Sequence, residues 1–295
     1  MVPNLRLRQK KNLSSFRKIA IGTWRTVGDP SVYGTLKLRA EKMLSYIETF
    51  RKRTGKKLTI THVMAKAVAL VMAEMPDANA ILRRNRIYLR EDIGVFFQVA
   101  MEDPKTKEID LSGATIFEAH EKSLEALYDE FSERVSRVKR GKDKELEGTR
   151  STFKKIPYGL LTLFLDVLGY ICFELNLDLR WAGIPRDPFG SAMVTNIGSL
   201  GLEEAYVPLV PYSHVPLLLA VGCIQDEAVV ENGQIVPGKV LRVCATFDHR
   251  VLDGMHAAHM SRTLVKVFED PEQWLGPLPS PKLATDADSS EVSQP

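Results

Sequence analysis

Cysteine is scarce in this chain of 295 residues: three are present, Cys172, Cys223 and Cys244, far apart and without C-x-x-C spacing. Such a set builds neither a zinc cage nor a disulfide framework, and it points to a reducing compartment. An uninterrupted apolar stretch long enough to cross a bilayer as a helix is also missing. The amino terminus alternates basic and apolar residues and has no central apolar run ahead of a small-residue cleavage site. No secretory signal is read, and cytoplasmic residence is expected. Net charge is only +3, too little to argue for nucleic acid. The glycines at 198 and 201 and those from Gly22 to Gly34 lack the strand-to-helix pattern that cradles phosphates, so they give no support for a nucleotide cofactor.

What is present is an ordinary globular composition, 44% hydrophobic and 26% charged, which excludes global disorder. The charge is uneven. Arg6, Arg8, Lys10, Lys11, Arg17, Lys18 and Arg25 all precede the first acidic residue, Asp29, so residues 1–34 read as a basic arm, with a strand-like piece at Ile19 to Trp24. Leu36, Met43, Leu44 and Ile47 fall at helical spacing and predict a helix over 35–51. Thr59 to Met75, apolar nearly all round and stopped by Pro76, predicts a buried helix whose His62 is structural. Ile87 to Ala100 reads as a strand pair interrupted at Glu91 and Asp92, and Ala114 to Arg140 as a long amphipathic helix.

A basic stretch (Lys139, Arg140, Lys142, Lys144, Arg150, Lys154, Lys155) then runs into an apolar block at 156–173. Two readings stand side by side. The block is a core or oligomer-interface helix, or the segment 139–180 rests on an anionic membrane surface, such as the inner face of the membrane. From 191 onward strands alternate: Ala192 to Ile197, closing on Gly198; the apolar run Val215 to Cys223, a central strand; and a hairpin at Asn232-Gly233. The strand holding Leu241, Val243, Ala245 and Phe247 ends at Asp248-His249-Arg250. A helix follows from Gly254, and the polar tail 273–295 is expected to be disordered.

His249, at the end of a buried strand and ahead of a tight loop, suits a general base held rigidly beside a cleft. It equally suits a structural hydrogen-bonder, with Asp253 a helix N-cap. His256 and His259 invite a metal-site reading with His249, but no carboxylate or cysteine completes a recognised spacing, so no metal is expected.

Phe247-Asp-His-Arg-Val-Leu-Asp-Gly254 resembles the D-H-R-x-x-D-G signature of the catalytic domain of dihydrolipoyl acyltransferases, the core of 2-oxo acid dehydrogenase complexes. That family shares its fold with chloramphenicol acetyltransferase. Val194-Thr-Asn-Ile-Gly-Ser-Leu-Gly201 is similar to its T-I-S-N-L-G segment. Lys57-Leu-Thr59, Pro76-Asp-Ala-Asn79 and Asp270-Pro271 match in register. The resemblance implies an α/β, chloramphenicol acetyltransferase-like two-layer fold, a mixed β-sheet packed with helices over 35–272, forming homotrimers. It further implies acyl transfer between a coenzyme A thioester and a thiol or hydroxyl acceptor by direct attack. His249 would be the base, Thr195 would donate to the oxyanion, and Asp253 would hold the loop by charge pairing, with Arg39 and Lys42 the nearest cations. The site would lie between subunits, so His249 and Thr195 would come from neighbouring chains.

The chain also departs from that pattern. No lipoyl module is read, so no covalent lipoyl group is expected on it. Met101 to Asp110 stands where the family carries an apolar strand, residues 139–188 form an insertion, and the tail is polar where the family has an apolar anchor. A free trimer is expected, and a non-catalytic trimeric scaffold or membrane-associated structural protein remains the alternative.

Overall fold

The computed structural model describes residues 3–10, 30–102, 109–139 and 157–280. In chain order these form β1 (Leu7–Gln9), β2 (Ser31–Arg39), α1 (Glu41–Thr54), α2 (Ile60–Glu74), β3 (Ala80–Arg83), β4 (Arg86–Arg90), β5 (Gly94–Glu102), β6 (Ile109–Phe117) and α3 (Leu124–Lys139). After them come α4 (Tyr158–Gly169), β7 (Ala192–Asn196), β8 (Leu217–Glu231), β9 (Gln234–Asp248), α5 (Gly254–Glu269) and α6 (Pro271–Leu275).

Six strands make one mixed sheet in the order β2-β9-β8-β7-β5-β6. Strand β7 runs parallel to β8 and β5, and the other pairs are antiparallel. The apolar run expected to be central is central because both its faces are covered. Leu217, Leu219 and Val221 join the main core with α1, α2, α3 and α5. Leu218 and Ala220 pack on the other side against Val207. Asn232 and Gly233 take φ of 50° and 79°, as a two-residue hairpin requires, and set Val229 opposite Val236.

Three elements differ from the sequence reading. Residues 35–39 belong to β2, where exposed Tyr33, Thr35 and Lys37 alternate with more buried neighbours; the helix starts only at Glu41. Likewise Ala114 to Phe117 complete β6, and a turn through Glu118, at φ 52°, delays α3 to Leu124. In both places a period of two ran straight into a period of 3.6, and a single helical window absorbed the strand end. The expected strand pair at 87–100 is two strands in different sheets: β4 joins a small β1-β4-β3 sheet and β5 the large one. Of the stretch Met101 to Asp110, Met101 and Glu102 complete β5 and Ile109 and Asp110 open β6; residues 103–108 lie outside the described residues.

The amino-terminal arm is partly docked. Asn4 and Leu5 are buried, and β1 pairs with β4. Residues 276–279 also return to α1, where Tyr46 Oη donates to Gly276 O at 2.9 Å. The piece Ile19 to Trp24, the basic run 140–156 and the tail from 281 lie outside the described residues.

The apolar block forms α4 and a π-helical turn, Tyr170–Glu174. Leu168, Cys172 and Phe173 pack on Leu5 and Ile81. Leu160, Leu163, Val167 and Tyr170, 50–61% exposed, form a separate stripe at helical spacing. Among the described residues no helix is long and apolar enough to cross a membrane. The segment's far end is fastened by Arg90 of β4, whose Nη1 donates to both carboxylate oxygens of Asp187 at 2.8 and 2.7 Å.

Two histidines are held neutral by packing. His62 is not interior to α2 but at its third residue, where Thr59 N donates to its Nδ1 at 3.1 Å. Burial pushes its pKa down to about 4. His214, stacked on Phe173 with ring centroids 4.4 Å apart, is also pushed to about 4 by burial, aided by the charges of Arg90 and Arg250. Both native values lie below the unfolded ~6.5, so the unfolded chain binds protons first as pH falls. Their stabilisation is complete above ~pH 6.5 and is lost as pH falls toward 4, on the order of 3 kcal/mol each at the limit. A His62→Gln/His214→Gln variant is therefore expected to lose less unfolding free energy between pH 7 and pH 4.5 than wild type in urea titrations. Equal losses would refute this assignment. Glutamine at 62 retains a capping-box acceptor.

Candidate active site

Strand β9 delivers a turn that is tied at every residue. Asp248 N donates to Pro216 O and His249 N to Pro30 O, each at 2.9 Å; Val251 N and Leu252 N donate back to Asp248 O at 3.0 and 2.8 Å. Arg250 Nε and Nη2 grip the buried Asp248 carboxylate, at 3.0 Å to Oδ1 and 2.7 Å to Oδ2. Inside this turn half-buried His249 folds its Nδ1 to 3.0 Å from Leu252 O. A carbonyl oxygen only accepts, so Nδ1 carries the proton and the ring's lone pair lies on Nε2. The turn thus sets the tautomer a general base needs.

Asp253 caps α5: Met255 N and His256 N donate to its Oδ1 at 2.9 and 3.2 Å. The geometry shown is that of an N-cap, one of the two readings of the sequence. Arg39, one of the cations considered for it, pairs with Glu41 at 2.8 Å and with Glu231. His256 turns to Asp253 at 2.7 Å and His259 to Glu74 at 3.5 Å.

Thr195 sits near the end of β7 and donates its hydroxyl to Gln98 Oε1 at 3.1 Å. The loop beyond it is pinned twice. Asn196 Nδ2 donates to Thr61 Oγ1 at 2.9 Å, and Gly198 lies so close to β8 that a Cβ there would stand 2.5 Å from Gly222 O. One chain does not bring Thr195 and His249 together. Thr195 is level with Ala220 and hence with Cys244. Asp248 lies ~14 Å further along β9, and two strand spacings add ~10 Å across.

Thr61 lies in the first turn of α2, and next to that turn a cleft of about 490 Å³ is lined by Lys57, His62, Tyr128, Phe131 and three further residues of α3. His62 Nε2 is buried without a hydrogen-bond partner, and its ring lies 4.5 Å from that of Phe131. Sequence reasoning missed this cleft and Gln98, because the cleft needs α3 to pack on the start of α2 and the Gln98–Thr195 bond needs β5 beside β7. The Asp248–Arg250 grip was missed as well, although two opposite charges flanking one histidine are its signal in the sequence.

The fold is similar to that of a probable dihydrolipoamide acetyltransferase from Listeria monocytogenes 4b F2365. The TM-score is 0.61 at 19% identity, covering 91% of this chain and 96% of that one. It is equally similar to the cubic core of the pyruvate dehydrogenase multienzyme complex, with TM-score 0.61, 19% identity, and 90% and 94% covered. The architecture is therefore that of these catalytic cores, the mixed α/β class that the resemblance implied. The profile of the 2-oxoacid dehydrogenases acyltransferase (catalytic domain) family matches residues 9–157 and 189–276, and the chain belongs to that family.

Two relatives come from Bacillus subtilis (strain 168). The dihydrolipoyllysine-residue acetyltransferase component of its acetoin cleaving system is 26% identical over 78% of this chain and 46% of that protein. The lipoamide acyltransferase component of its branched-chain alpha-keto acid dehydrogenase complex is 24% identical over 81% and 47%. The chain spans about half the length of these curated relatives. The stretch between the two matched segments, 158–188, begins with α4 and ends just past Asp187.

Proposed function

We propose that the chain is an acyltransferase that moves an acyl group between coenzyme A and a thiol or hydroxyl acceptor, working as a homotrimer with sites shared between subunits. The observation that carries this reading is the Nδ1–Leu252 bond, which leaves His249 Nε2 as the proton acceptor on a rigid turn. In the reaction His249 Nε2 takes the proton of the acceptor thiol, and the thiolate adds to the thioester carbonyl. Thr195 Oγ1 turns from Gln98 to the oxyanion. As the intermediate collapses, the carbon–sulfur bond to coenzyme A breaks, and the imidazolium returns its proton to the departing thiolate. The separation of Thr195 from His249 within one chain supports a site built from two chains. The cleft at Lys57, His62, Tyr128 and Phe131, with a lysine cation and aromatic faces, suits the adenosine phosphate end of coenzyme A. In the same reading the exposed stripe of α4 is the surface that would rest on an anionic membrane face.

Complementation tests the shared site. Thr195→Ala is expected to lower kcat by ~10²–10³-fold, and His249→Ala by ~10³-fold. Co-expressed in equal amounts they should regain up to about a quarter of wild-type sites, those pairing an intact His249 with an intact Thr195. No recovery in the mixed assembly would overturn the shared site. A fully active His249→Ala protein would overturn the chemistry.

A further inference from the structure

Thr195 has a single hydroxyl proton, and in the folded chain that proton is given to Gln98 Oε1, 3.1 Å away. The pairing follows from sheet register. Strands β5 and β7 run parallel with Phe97 level with Val194, so the next residues, Gln98 and Thr195, come level on one face. On its other side Gln98 is level with Gly113 of β6, which has no side chain to offer it. Gln98 is exposed, where water satisfies an amide as well, so the bond adds little to stability. Its effect is to fix the orientation of the Thr195 hydroxyl, which is what an oxyanion donor needs.

We infer that Gln98 is a positioning residue for acyl transfer: its amide holds Thr195 Oγ1 throughout and turns over as the oxyanion forms, so that Nε2 becomes the donor and the hydroxyl proton is freed. This role rests on the acyltransferase reading, with Thr195 as the oxyanion donor. A hydroxyl carries one proton and two lone pairs, and an amide carries an acceptor oxygen and two donor hydrogens in nearly the same shape. Were Gln98 only an acceptor, Thr195 could serve either it or the oxyanion. A half-turn about the last torsion of the glutamine, which is broad and roughly two-fold, removes that conflict. The contact is kept and only its direction reverses: Nε2–H points to Oγ1, and Oγ1–H points to the oxyanion. Donation into Oγ1 also polarises the hydroxyl and strengthens the bond it gives. No covalent bond to Gln98 forms or breaks, and the proton of the acceptor thiol still passes through His249.

The test uses the full chain with acetyl-coenzyme A and dihydrolipoamide. Gln98→Leu, which neither accepts nor donates, should lower kcat at least about fivefold and leave KM within about twofold, a share of the ~10²–10³-fold worth of one oxyanion donor. Gln98→Glu, whose ionised carboxylate only accepts, should keep the hydroxyl proton on itself and lower kcat further than leucine does. In the Thr195→Ala background Gln98→Leu should change kcat by less than about twofold, because the glutamine then has nothing to position. A purely structural role would carry the same loss into both backgrounds. Gln98→Met replaces Gln98→Leu if that variant does not fold, as judged by its thermal transition. An equal loss in both backgrounds, or no loss with Thr195 intact, would overturn the positioning role and leave the chemistry standing. A Gln98→Glu protein no slower than Gln98→Leu would overturn the turning of the amide. A wild-type protein that transfers no acyl group would overturn the acyltransferase reading, and the role of Gln98 with it.

Discussion

His249→Ala is expected to lower kcat for acyl transfer by ~10³-fold, within the range for loss of a general base, and to leave KM within about threefold. The reasoning is geometric. The ring is held by its Nδ1 on Leu252 O, and the turn that carries it is tied by Pro30, Pro216 and the Asp248–Arg250 grip. Alanine removes the base without disturbing those ties, because none except the Leu252 bond uses the imidazole. Binding of the thioester should therefore persist while proton removal is lost. Steady-state kinetics with saturating acyl-coenzyme A and dihydrolipoamide, read across pH, separates the two. At higher pH the acceptor thiol ionises by itself, so the variant's deficit should shrink. A deficit that stays constant to high pH would argue that His249 positions substrate and does not take its proton.

Asp187→Asn is expected to destabilise the folded chain by ~3–5 kcal/mol. Arg90 and Asp187 have side chains only 2% and 9% exposed, and among the described residues Arg90 Nε and Nη2 are buried without hydrogen-bond partners, so Asp187 is the carboxylate that pairs with it directly. Asparagine keeps the shape and tolerates the left-handed backbone at 187, φ 42°, and the change thus isolates the charge. Urea unfolding at pH 7 measures it. Replacing both partners by apolar residues, Arg90→Met with Asp187→Leu, should recover most of the loss, since a buried pair often exchanges for packed apolar groups at little cost. A loss below about 1 kcal/mol for Asp187→Asn would show that the insertion's end is not fastened through this pair. A large loss would make the segment 158–188 a structural part of the domain.

Much of this was legible in the residues, for reasons that differ from place to place. The Asn232-Gly233 hairpin, the buried helix α2 and the helix from Gly254 are specified by neighbours within four residues, so their patterns survive in the linear sequence. The ends of β2 and β6 were misread because each strand abuts a helix with only a short break, and apolar residues of one period completed the pattern of the other. His249 and Asp253 were visible as a motif, and the cap at Asp253 follows from its own i+3 neighbour. Gln98, by contrast, is bonded to Thr195 across 97 positions, and no local pattern announces such a pair.

The sequence by itself determined the His249 turn, the apolar run that buries both faces of β8, and the family to which the chain belongs. All three are set by residues close in the chain or by a motif with invariant internal spacing. Only the tertiary structure decided that Thr195 and His249 of one chain stay apart and that the far end of the segment 158–188 is fastened by Arg90 and Asp187. Each of these depends on strand order and register, which bring together groups separated by tens of residues or more, and register is a property of the whole sheet.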